Sequence, residues 1–225
     1  MPSRQLQLDK YLRPTPSIDC DDPAVADFAE QTAGGGETEV SKAVALFEAV
    51  RDGIRYDPYR VDLSLEAMRA SAVLARKFAF CIPKATLLAA CARVVGIPSR
   101  LGFADVKNHL ATERLKREMQ TDVFTFHAYT ELFLEGKWLK ATPAFNSSLC
   151  ERFNVAPLDF DGRDDALLQQ FDREGNRYME YLTDHGQFAD LPLDKITAAF
   201  EQHYPSLMSG GAYGIDGQFE QDAVV

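Results

Sequence analysis

The chain has 225 residues and a formal net charge of −10, with hydrophobic residues at 46% and charged residues at 26%. That balance belongs to a globular protein able to bury a core, and its acidic surplus repels phosphate backbones and anionic lipid, which argues against nucleic-acid and membrane partners. Residues 1–10 carry Arg4, Asp9 and Lys10 without an apolar run, so neither a signal peptide nor a transmembrane helix is expected, and a cytoplasmic location follows as an expectation.

In chain order, residues 12–31 hold Pro14, Pro16 and Pro23 and read as an extended arm leading into a short helix at 24–29. Gly34-Gly35-Gly36 has no Gly-Lys-Ser/Thr after it and reads as a hinge, not a phosphate loop. Apolar residues at three- and four-residue steps predict a helix over 38–52 that stops at Gly53. A turn at 54–58 then precedes a helix capped by Ser64 and running through Leu74. The next helix starts at Cys81 and stops at Gly96, with Pro83 tolerated in its first turn.

Residues 99–106 have strand character, 112–119 form a charged helix, and 124–134 alternate like a half-buried strand. Glu135-Gly136 makes a tight turn into a partner strand over 137–142. In that register Leu134 faces Lys137, Glu131 faces Lys140 and Tyr129 faces Thr142, so Thr142 becomes the diagonal neighbour of His127. Beyond Pro143, helices are expected near 164–171 and 195–203. The expected organisation is one domain over 1–205, with an arm at 1–37, a core at 44–146 and a helical cover at 150–205, followed by a flexible tail at 206–225.

The cysteines, Cys20, Cys81, Cys91 and Cys150, form no C-x-x-C pair, and His109, His127, His185 and His203 show no metal-ligand spacing, so no metal or cofactor is implied. A thiolate is the reactive form of cysteine, and a helix N-terminus with a nearby imidazolium favours it. Cys81 has the helix start, whereas Cys91 lies on the apolar stripe of the same helix and reads as core. His127 lies within a predicted strand that can hold its ring still, which makes it the candidate base. Asp105, Asn108 and His109 could line a cleft but read equally as a polar loop.

The stretches Cys81-Ile82-Pro83-Lys84-Ala85, Gly96-Ile97-Pro98-Ser99-Arg100, His127-Ala128-Tyr129-Thr130-Glu131 and Lys137-Trp138-Leu139-Lys140-Ala141-Thr142-Pro143 follow in an order that resembles the transglutaminase-like superfamily. Val50-Arg51-Asp52-Gly53-Ile54-Arg55-Tyr56 looks like the helix end that precedes its catalytic region, so the resemblance covers 44–146. It implies an α+β fold with a papain-like transglutaminase core, in which the cysteine helix packs on an antiparallel sheet. It also implies Cys81 as nucleophile and His127 as base in a thiol enzyme acting on a peptide, a protein or a small amide. Hydrolysis is the preferred outcome, with amine transfer or an inactive peptide-binding domain as alternatives.

The departure lies at the third catalytic position, where the family usually has aspartate and this chain has Thr142. A hydroxyl can fix the tautomer of His127 but cannot stabilise imidazolium as a carboxylate does. Asn146, four residues on, is the preferred orienting group, with Thr142 the other candidate.

Overall fold

A computed structural model describes residues 8–109, 111–208 and 212–223. The reading of residues 1–10 as free of a leader or span falls mostly outside these, as do residues 1–7 of the expected arm and 209–211 and 224–225 of the expected tail. Among the described residues no helix is long and apolar enough to cross a membrane.

Two helices lead in. In α1 (Pro23–Ala33), the Asp22 carboxylate accepts the Ala24 and Val25 N–H groups, and Pro23 costs nothing at the first position because its missing N–H would have been an orphan. In α2 (Glu39–Gly53), Thr38 and Ser41 cap each other's backbone reciprocally. Short pieces follow: β1 (Arg55–Tyr56), β2 (Arg60–Asp62), α3 (Leu65–Met68), α4 (Ala70–Arg76) and β3 (Phe78–Ala79). The expected turn at 54–58 is thus partly a strand, β1 pairing in parallel with β3. The helix predicted from Ser64 is broken in two, because Arg69 is extended and starts the second piece.

Helix α5 (Cys81–Val94) is the hub, buried from Cys81 to Arg93. It ends as the sequence predicts, with Gly96 left-handed at φ +81° and the Ile97 N–H bonded to the Ala92 carbonyl at 2.9 Å. Its Lys84 is fully buried and donates to the carbonyls of Arg51 (2.8 Å) and Ile54 at the end of α2. Those carbonyls lack intrahelical donors, so one ammonium satisfies both and ties α2 to α5.

The sheet has the order β6-β5-β4-β7 and is antiparallel throughout, with β4 (Ser99–Asn108), β5 (Val123–Leu134), β6 (Lys137–Ala141) and β7 (Met179–Phe188). Helix α5 lies on one face, and Thr130 bonds the Ala85 carbonyl across that contact. The molecule is therefore α+β, a cysteine helix packed on an antiparallel sheet. Arg100 lies opposite Glu131, pairs with its carboxylate and stacks 4.2 Å over Trp138, on which Tyr11 of the N-terminal arm packs edge-on at 5.1 Å. These motif residues hold the arm against the sheet.

Several expectations change. Leu134 faces Lys137 and Glu131 faces Lys140, but the ladder ends at Thr130 opposite Ala141. Thr142 does not face Tyr129, because its N–H turns away to the Ala166 carbonyl at 2.9 Å. Residues 164–171 form no helix; Ala166 and Phe171 make isolated bridges instead. Strand β7 has no counterpart in the sequence reading, which assigned 150–205 to a helical cover. The helix expected at 195–203 is present as α8 (Leu193–His203), preceded by α6 (Glu113–Met119) and α7 (Ser147–Arg152). The described part of the tail is docked: β8 (Ala212–Gly214) pairs with β2, and α9 (Phe219–Asp222) buries Phe219. Its glycines suggested a loose end, but Tyr213 packs against the core and Phe219, just past the last glycine, is buried in it.

Gly102 lies directly opposite Tyr129, and a Cβ there would stand 2.2 Å from the Tyr129 ring. Tyr129 is 2% exposed, so its ring has to be pushed from its packed position to make room. Gly102→Ala should lower stability by about 1–3 kcal/mol, measured as a shift in the urea midpoint.

Candidate active site

The backbone places the chemistry before any side chain does. Helix α5 begins at Cys81 without a side-chain cap, so its first N–H groups remain available. The backbone N–H groups of Ala128, Ile82 and Cys81 act to lower the thiol pKa. Ala128 follows His127 in β5, so the Cys81 thiol and the strand carrying the histidine meet at this peptide. Burial is the larger effect and pushes the Cys81 thiol up to about 11.

His127 follows a defect in the ladder. Ala104 faces His127 and Val106 faces Phe124, leaving Thr125 and Phe126 opposite Asp105 alone. This bulge puts Phe126 at φ +52°, a strained conformation for an aromatic residue. Asp105 holds it by accepting the Phe126 N–H at 3.1 Å and the Thr125 hydroxyl at 2.7 Å. The same carboxylate oxygen contacts His185 Nε2 at 2.7 Å, and the His185 ring stacks on Phe126 at 4.1 Å. Burial acts to raise the Asp105 pKa, but the bonds from His185, Thr125 and Phe126 prevail and hold it below the usual range.

The His127 ring is 2% exposed and bonds to no described side chain or backbone group. Burial pushes its pKa down to about 4. Thiol and imidazole are therefore both neutral near pH 7 in this closed arrangement.

The two candidates for orienting His127 fare differently. The Asn146 amide is committed elsewhere, its Oδ1 accepting the Tyr56 N–H at 3.1 Å and its Nδ2 donating to Ser148 at 2.7 Å. In this structure Asn146 joins β1 to the start of α7, and no bond links it to His127. The Thr142 hydroxyl is buried and has no partner among the described residues. The Asp105–His185 pair and the Thr125–Phe126 bulge escaped the sequence reading. Asp105 was visible as a strand-end acid, but only β7, eighty positions downstream of it, brings His185 into contact.

Cys81 is 7% exposed and opens on a cavity of about 30 Å³, room for about one water. Apolar residues line it, among them Phe80, Met119 and Phe124 and, from the C-terminal region, Phe200, Tyr204 and Tyr213. Tyr204 is fixed, its hydroxyl accepting from the Thr125 N–H at 2.7 Å and donating to the Val123 carbonyl at 3.0 Å. No group of three or more His, Cys, Asp or Glu side chains that could hold a metal occurs among the described residues.

A histidine kept neutral by burial makes stability depend on pH. Its pKa is about 4 in the fold against 6.5 when exposed, so the contribution is complete above pH 6.5 and is lost as pH falls through about 4. Linkage sets the loss at about 3 kcal/mol. Urea midpoints between pH 7 and 4 should fall more steeply for the wild type than for His127→Gln.

Comparison with known proteins follows the geometry. Residues 26–143 match the family model described as the transglutaminase-like superfamily. A search of curated proteins returned no match. Among solved structures, a candidate cysteine protease from Cytophaga hutchinsonii is similar at 15% identity and a TM-score of 0.49, covering 81% of this chain and 54% of its own. A candidate protease from Parabacteroides distasonis is similar at 17% identity and a TM-score of 0.40, covering 60% of this chain and 25% of its own. The chain thus spans about half the length of the first of these proteins and a quarter of the second. On the match that runs through the cysteine helix, the histidine strand and Thr142, the chain belongs to the transglutaminase-like superfamily.

Proposed function

We propose that the protein is a cysteine-dependent acyl-transfer enzyme that hydrolyses a peptide or amide bond, with Cys81 as nucleophile and His127 as base. The observation that carries this reading is the place of Cys81 at the start of α5, whose first N–H groups have no side-chain cap, on the helix that packs against the strand carrying His127. Such donors stabilise a thiolate, and those at the helix start can also receive the oxyanion that forms when sulfur attacks a carbonyl.

In this mechanism the Cys81 proton passes to His127 and the sulfur attacks the carbonyl carbon. The carbon–nitrogen bond breaks as His127 returns the proton to the departing nitrogen, leaving a thioester. Water, deprotonated by His127, attacks the thioester and releases the acid and the free thiol. An amine in place of water gives a new amide, so transfer differs from hydrolysis only in the acceptor. Thr142 is the orienting group in this proposal. Its hydroxyl accepts the imidazole N–H when the ring takes its working position, which accounts for a buried hydroxyl left without a partner here.

A second reading, a domain that holds a peptide without cutting it, is favoured by one observation. Cys81 is enclosed and its thiol is pushed up to about 11, the reverse of an activated cysteine. Incubation with peptides, in wild type, Cys81→Ser and His127→Ala, separates the two. An enzyme cleaves and loses cleavage in both variants, whereas the binding domain holds the peptide and leaves it intact in all three proteins.

Thr142→Val separates orientation from stability. Removing an unsatisfied buried hydroxyl should leave the melting temperature unchanged or raise it. The same substitution should reduce kcat for peptide hydrolysis about tenfold, since a freely turning imidazole spends less time in the productive tautomer. Paired melting and turnover measurements check both signs.

A further inference from the structure

The space in front of Cys81 is filled by this chain's own C-terminal region, and the manner of filling describes what belongs there. Strand β8 lies antiparallel to β2, with Val61 opposite Tyr213. Among the described residues β2 has no other strand neighbour, so without β8 its edge would present unpaired N–H and C=O groups. Val61 and Tyr213 both line the Cys81 cavity. The Tyr213 hydroxyl donates to the Pro58 carbonyl at 3.3 Å. An extended backbone bonded to a strand edge, with one aromatic side chain set beside a nucleophilic sulfur, is how a peptide strand is held when it adds to a sheet.

The anchor lies outside the cavity. The Phe219 ring packs on Tyr56 at 5.6 Å, Tyr59 at 5.2 Å and Phe153 at 6.1 Å. Asp222 accepts from the Tyr59 hydroxyl at 2.8 Å and pairs with Arg114 at 3.2 Å, in contacts partly open to solvent. The fixed walls, Phe80, Met119, Phe124 and Tyr204, belong to other parts of the fold and stay when β8 leaves.

We propose that residues 212–222 occupy the substrate site as an internal stand-in for an extended peptide, so that the β2 edge and the apolar pocket beside Cys81 bind peptides bearing an aromatic side chain near the reacting carbonyl. This rests on the acyl-transfer reading for the reaction, but not for the binding. The walls are apolar and aromatic, and the Pro58 carbonyl offers one acceptor at the depth of a tyrosine hydroxyl. Displacing the segment frees both backbone edge and pocket, and exposes the sulfur.

The test measures the iodoacetamide alkylation rate of Cys81 at pH 7.5 in the full chain, in Phe219→Ala and in the milder Asp222→Asn. At least a tenfold acceleration is expected in Phe219→Ala and a smaller one in Asp222→Asn, which loses only a partly exposed contact. A synthetic hexapeptide with the sequence of residues 212–217 should then protect Cys81 in the accelerated variant, and the same peptide with its tyrosine replaced by alanine should not. Rates within twofold of wild type in both variants would overturn the proposal, as would equal protection by the two peptides. Adding His127→Ala to the opened variant keeps the two readings apart. Tyrosine-dependent protection without any effect of His127 would leave the binding site standing and remove the acyl-transfer reaction.

Discussion

Helix α5 is buried along nearly its whole length, and the rest of the structure answers to that constraint. A helix enclosed on all sides must find partners for every polar group it carries. Thr86 bonds the Ile82 carbonyl one turn back, and Lys84 reaches the frayed carbonyls of α2. Burial holds the Lys84 ammonium down to about 7, so the contact that joins the two helices is itself close to titration. What remains unpaired is the first turn, and the Cys81 sulfur sits there. The donors that would otherwise be a defect of an uncapped helix become the polar surroundings of the thiol.

Much of this was legible in the chain. The stop at Gly96, the start at Cys81 and the hairpin register from Leu134 opposite Lys137 follow from local rules, because caps, turns and alternation act over a few residues. The order of cysteine helix, histidine strand and tryptophan strand carried the family. The Thr142 contact failed for an equally local reason: the passing loop at Ala166 offers a carbonyl that draws the strand end away. Asn146 has an amide that suits a catalytic orienter, and its position before α7 ties both ends of that amide to Tyr56 and Ser148. Strand β7, the His185–Asp105 contact and the docking of Phe219 depend on partners tens of residues away, where composition gives no direction.

The bulge at Thr125–Phe126 links two parts of the molecule that sequence kept separate. A regular ladder would continue the alternation of β5 up to His127; the extra residue re-aims the strand just before it. Asp105 and His185 support that distortion from the neighbouring strands, so the setting of His127 is distributed over β4, β5 and β7. A histidine whose ring has no hydrogen bond among the described residues is thereby held by the backbone beneath it.

The cavity of about 30 Å³ beside Cys81 has one more consequence. Oxidation of a cysteine requires thiolate character and access, and the enclosed sulfur has neither. Peroxide that would convert an open catalytic thiol to sulfenic acid meets a protonated sulfur behind aromatic rings. On the proposal that residues 212–222 fill the site, the step that admits substrate also admits oxidants.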